Sequence, residues 1–140
     1  MNKVILYHGS SSRRKFKRFR LPNKNTKYRC PNSYHVKAIF LTDSDYVNNY
    51  NSGHTYTCEV NLIKLLKLHE LADEQEYNSL EQEFLQLYPD LTFNYRDSKS
   101  SNTMIKFLKS KGYNGMLRTD GTSLTHMMFN PDDIKILEVR

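Results

Sequence analysis

Apolar residues along this 140-residue chain come in short bursts, and most bursts alternate with polar positions at period two. Thr55-Tyr56-Thr57-Cys58-Glu59-Val60 and Ile134-Lys135-Ile136-Leu137-Glu138-Val139 show the alternation of strands with one buried face. The same reading predicts strands over Lys3–Tyr7, Ala38–Thr42, Thr55–Val60, Leu65–His69, Gly115–Arg118, Thr125–Phe129 and Ile134–Val139. Helical spacing is rarer. Tyr77, Leu80, Phe84 and Leu87 recur at helical intervals within Asp73–Tyr88, and Pro89 stops that helix. Met104, Phe107 and Leu108 mark a second helix over Ser101–Lys111, with a Lys-rich last turn and Gly112 at its C-terminal cap. A third, short helix starts at Asp43 or Ser44 and carries Tyr46, Val47 and Tyr50 on one face. Asn23–Ser33 and Asp90–Ser100 read as loops. Strands and helices in blocks predict an α+β domain with mainly antiparallel pairing, in one domain spanning residues 1–140.

Composition narrows the class. The hydrophobic fraction is 38%, and ten Tyr and seven Phe carry much of it, which suits a thin core and an aromatic-lined cleft. No apolar run approaches the roughly 18 residues that a membrane span needs, and the N-terminus has no long apolar leader. A soluble, cytoplasmic protein without a membrane partner is the expectation. Cys30 and Cys58 have no metal-ligand spacing; reduced thiols are the reading, with a Cys30–Cys58 disulfide as the other option. The five His form no zinc-type pattern, so no metal is expected.

Charge is uneven. Of the 21 Lys/Arg, eleven lie in residues 1–42, where there is no Asp or Glu, so the remainder of the chain sets ten cations against all 15 acids. The densest segment holds Arg13, Arg14, Lys15, Lys17, Arg18 and Arg20 around Phe16 and Phe19. One reading is a solvated loop anchored by its phenylalanines. The other is a docking surface for an acidic partner, a protein face or a nucleic acid.

Two segments carry the chemistry. Leu6-Tyr7-His8-Gly9-Ser10 runs an apolar strand into His-Gly-Ser, and Ala38-Ile39-Phe40-Leu41-Thr42-Asp43 runs a second strand into an aromatic, followed by Tyr50. Together with Gly112-Tyr113-Asn114-Gly115 and Phe129-Asn130-Pro131-Asp132-Asp133-Ile134, they resemble the ADP-ribosyltransferase family, including its small phage-encoded anti-CRISPR members. The resemblance implies two small, mainly antiparallel sheets around an NAD cleft with a few peripheral helices. It implies that His8 meets a ribose hydroxyl, that the Gly9 backbone takes the nicotinamide carboxamide beside Ser10, and that Phe40 and Tyr50 flank the nicotinamide ring.

The chain departs from the family at its acid. The usual Glu position falls on Thr125 or His126, and the nearest carboxylate is Asp120 in Arg118-Thr119-Asp120-Gly121-Thr122-Ser123. Transfer builds positive charge on the ribose, so a site needs a carboxylate near it. Asp120 is the candidate, against a plain Asp-Gly turn. The resulting expectation is a mono-ADP-ribosyltransferase with NAD as donor and a macromolecular target, a protein side chain before nucleic acid. The alternatives are a small-molecule modifier and a non-catalytic basic module that binds nucleic acid.

Overall fold

The computed structural model describes residues 2–10, 15–22, 36–44 and 53–140. Among these residues seven strands and two α-helices follow one another: β1 (Asn2–Ser10), β2 (Ile39–Thr42), β3 (His54–Leu62), β4 (Leu65–Lys67), α1 (Glu74–Leu87), α2 (Ser101–Ser110), β5 (Gly115–Thr119), β6 (Leu124–Met128) and β7 (Ile134–Val139). The seven predicted strands are all present. The helix predicted to carry Tyr46, Val47 and Tyr50, and the Asn23–Ser33 loop, lie outside the described residues.

All seven strands join in one sheet, in the order β4-β5-β6-β2-β1-β3-β7. Only β4 and β5 run parallel; the other neighbours are antiparallel. The expected division into two small sheets is therefore corrected to a single mixed sheet. Its cause is β1, which is long enough to serve two partners. It pairs with β3 along its whole length, Asn2 with Leu62 through Ser10 with His54, and also meets β2 at Tyr7 with Thr42. That one registered pair holds the halves together.

Local chemistry explains the helices. Asp73 caps α1 by accepting from the Glu76 N–H at 3.1 Å, and Leu80 and Phe84 are its buried side. Helix α2 buries Met104, Ile105, Phe107 and Leu108. It ends in a Schellman motif: Tyr113 N–H bonds to Leu108 O and Gly112 N–H to Lys109 O, with Gly112 at φ +91°. Gly115 is required for another reason. A Cβ there would lie 2.8 Å from Leu65 Cδ2 and 2.8 Å from the Met127 carbonyl oxygen. Between them, Asn114 Oδ1 accepts from Ile63 and Lys64 N–H while its Nδ2 donates to Asn61 O. The Gly-Tyr-Asn-Gly motif is thus a clasp that ends α2, ties the β3–β4 turn and starts β5.

The sheet separates two apolar clusters. One face meets α1, α2 and the 91–100 segment, and its cluster includes Leu66, Phe84, Phe93, Leu108, Met116, Met127 and Phe129. The other face holds Leu6, Ile39, Leu41, Tyr56, Cys58, Val60 and Met128, covered by a strap of residues 15–22 through Phe19 and Phe16. Consecutive residues serve opposite faces, as strand pleating demands: Met127 belongs to the helix side and Met128 to the strap side. Among the described residues, no helix is long and apolar enough to cross a membrane.

Candidate functional site

Among the described residues, the strand register between β1 and β2 is the single pair Tyr7 with Thr42. His8 takes up the contact: its Nδ1 lies 2.7 Å from the Phe40 carbonyl oxygen, a bond between residues 32 apart in sequence. A carbonyl only accepts, so Nδ1 carries the hydrogen, and in neutral imidazole Nε2 is left as an acceptor. Burial lowers the pKa of His8 below its ordinary 6.5, opposed by the bond to Phe40, so the neutral form is favoured. Three rings surround it. Phe19 stands edge-on at 4.9 Å between centroids, Tyr56 at 6.2 Å and Phe16 at 6.4 Å.

His8 and Phe40 meet at that carbonyl, but their rings leave the sheet on opposite sides. The imidazole packs with the strap-side aromatics, whereas the half-buried Phe40 ring packs against the helix-side cluster. Register explains this, since Tyr7 opposite Thr42 sets His8 across from Leu41 and Gly9 across from Phe40. Gly9 therefore shares Phe40's face. Tyr50, expected on the other side of the ligand ring, lies outside the described residues, as do Arg13 and Arg14.

Asp120 is placed elsewhere. It sits at the tip of the β5–β6 hairpin, where its Oδ1 accepts from Thr122 N–H at 2.9 Å, Thr122 Oγ1 at 2.8 Å and Ser123 N–H at 2.9 Å. Those donors lower its pKa to about 2, so it stays ionised. Gly121 follows at φ +96°. Strand β5 is three strands from β1, about 14 Å at sheet spacing, so the hairpin does not bring this carboxylate to His8.

The two residues at the family's acid position diverge. His126 is buried on the strap side, level with Leu41 and Leu117, and its Nδ1 has no partner among the described residues. Burial lowers its pKa, and the charge of Asp43 opposes the shift. Thr125 points to the helix side with Phe40.

On that side, register lines up four residues that sequence reasoning had not joined: Arg118 opposite Thr125, Thr125 opposite Thr42, and Thr42 opposite Tyr7. All four are partly exposed. Arg118 Nη1 donates to the buried Tyr95 Oη at 2.7 Å, and its guanidinium lies 5.9 Å from the Phe40 ring centre. Arg96 Nε donates to the same hydroxyl at 3.2 Å. One signal for Arg118 was present in the sequence: it stands two residues after Met116, on the inward face of a period-two strand.

The basic strap keeps its two kinds of residue apart. Phe16 stacks on Tyr56 at 4.1 Å, its N–H donating to Tyr56 Oη at 3.0 Å, and Phe19 is buried. Lys15, Lys17, Arg18 and Arg20 are exposed. The ion pairs among the described residues are Lys3–Glu59 and Lys111–Glu83, so none of these four is neutralised in one. Cys58 is a buried free thiol, pushed up to about 12 by burial and hence unreactive. The described residues hold no group of three or more His, Cys, Asp or Glu placed to bind a metal ion.

No family model matches the chain, and no curated protein or solved structure matches it.

Proposed function

We propose that the chain is a cytoplasmic NAD-binding domain of the ADP-ribosyltransferase kind, acting as a mono-ADP-ribosyltransferase on a macromolecular target. The observation that carries the reading is the 2.7 Å contact of His8 Nδ1 with the Phe40 carbonyl oxygen. It unites the two motifs on which the resemblance rests, at the point where β1 and β2 part. The residues match the donor's groups in type, His8 on the strap side of the sheet and Gly9 and Phe40 on the helix side. Neutral His8 offers Nε2 to a ribose hydroxyl, Gly9 admits close approach of a carboxamide, and Phe40 offers a flat ring. In the reaction the nicotinamide–ribose bond breaks, a nucleophile on the target bonds to the ribose carbon, and nicotinamide leaves. The exposed cations of the strap, Lys15, Lys17, Arg18 and Arg20, border the His8 side and suit an acidic protein face.

A second reading has its own support. Asp120 is engaged in its turn three strands from β1, and Thr125 stands where the family has its acid. Both favour a domain that binds a nucleotide without cleaving it, its basic strap serving nucleic acid.

The test combines calorimetry with NAD and assay of nicotinamide release. Binding with release supports the transferase, and a fall of about 10² or more in Asp120→Asn would assign its acid to the β5–β6 hairpin. Binding without release selects the non-catalytic module. Unchanged NAD affinity in both His8→Ala and Phe40→Ala overturns the cleft.

A further inference from the structure

Among the described residues Arg118 is the one arginine that is not exposed. It is partly buried on β5, its guanidinium donates one bond to Tyr95, and no carboxylate pairs with it among the described residues. A guanidinium has five N–H groups in a planar fork that matches a phosphate. Removing such a charge from water without a counter-charge costs stability, so the site gains from an anion. Its neighbours along the row are hydroxyls, Thr125 and Thr42, each directly opposite the next and on one face. A Glu at position 125 would neutralise Arg118 in place; Thr125 leaves the positive charge standing.

The row also lies beside an aromatic. Phe40 is two residues from Thr42 on the same strand and face, about 7 Å along it, and its ring is the one the Arg118 guanidinium approaches. A ligand with a flat ring on Phe40 and a phosphate one sugar away would meet both.

We propose that Arg118, Thr125 and Thr42, with Phe40 beside them and Tyr95 holding the guanidinium, form a phosphate-binding subsite for a nucleotide. Arg118 grips the phosphate oxygens in bidentate fashion, the threonine hydroxyls donate to them, and Phe40 packs the adjoining ring. The subsite rests on the NAD reading only for which nucleotide occupies it. It also accounts for Thr125: an acid would serve an oxocarbenium-like ribose, whereas a hydroxyl beside an unneutralised arginine serves an anion.

Calorimetry with inorganic pyrophosphate, ADP-ribose, NAD and nicotinamide tests this on wild type, Arg118→Gln, Arg118→Lys and Thr125→Glu, with folding of each checked by thermal melting. Pyrophosphate and ADP-ribose should bind about tenfold or more weakly in Arg118→Gln and in Thr125→Glu, with nicotinamide unchanged. Arg118→Lys, which keeps the charge and loses the fork, should fall between wild type and Arg118→Gln, and it decides the matter if Arg118→Gln fails to fold. Binding of wild type to pyrophosphate should weaken steeply with salt. Wild type that takes neither pyrophosphate nor ADP-ribose, or affinities indifferent to Arg118, would overturn the subsite. The two readings separate. Arg118-dependent pyrophosphate binding without NAD binding keeps the subsite and removes the NAD cleft, while NAD binding indifferent to Arg118 does the reverse.

Discussion

The two faces of the sheet are built in different ways. On the helix side, α1 and α2 cover β4, β5, β6 and β2 with a large cluster in which Phe84 touches Phe93 and Phe107. On the strap side no helix contributes among the described residues. Phe16 and Phe19 are inserted from an otherwise basic segment, and Tyr56 and His8 meet them. On the helix side the buried rings form the core, and the candidate ligand-binding residues Phe40 and Arg118 lie partly exposed against it. The strap side shares its rings with a candidate ligand-binding residue, so its packing and its chemistry cannot be altered separately. That difference locates where stability and binding are coupled.

The largest expected effects come from matched truncations. Phe84→Ala removes a fully buried ring and should cost about 4 kcal/mol by urea denaturation. Phe19→Ala should cost about 3 kcal/mol. The comparison sharpens in the second readout: NAD affinity per folded molecule should stand in Phe84→Ala and fall in Phe19→Ala, which strips His8 of its nearest ring. Equal affinities in the two variants would dissolve the distinction. Tyr56→Phe is subtler. It removes the acceptor of the Phe16 N–H and should cost about 1–2 kcal/mol, read as a lower urea midpoint.

Acid should also act on one side. Buried His126 and partly buried His8 both belong to the strap side, and desolvation places both folded pKa values below the ordinary 6.5. Below 6.5 the unfolded chain takes up protons that the folded chain refuses. Their contribution is therefore complete above that value and is lost as pH falls toward and through the folded pKa values. Unfolding midpoints should drop between about pH 7.5 and about pH 5.5, and His126→Gln should flatten the slope. A slope unchanged by substitutions at both histidines would place the acid response elsewhere. The smallest effect belongs to the helix side: Asp73→Ala removes the α1 cap and should cost about 1 kcal/mol, without touching ligand affinity.

Strand positions were readable because alternation at period two is imposed residue by residue. Thr55–Val60 and Ile134–Val139 announce a buried side whatever they pair with, and the strands observed there contain both predicted segments. Helix ends were equally local: Asp73 caps, Gly112 takes the left-handed φ, Pro89 blocks continuation. Sheet count was not readable, since one registered contact between Tyr7 and Thr42 converts two sheets into one. Asp120 shows the same limit. Its Asp-Gly spelled a turn and its charge suggested chemistry; three hydrogen bonds from Thr122 and Ser123 give the turn.

Thus the chain's own pattern determined which residues are strand, helix or turn, which positions face inward, and that His8 and Phe40 lie toward the ends of apolar strands. It did so because propensity, capping and alternation act within a few residues. Only the tertiary structure decided that the imidazole and the Phe40 ring lie on opposite faces, and that Arg118, Thr125 and Thr42 stand in one row. Those relations depend on the register between strands as far apart in sequence as β2 and β6, and a shift of one residue would send every side chain of a strand to the other face.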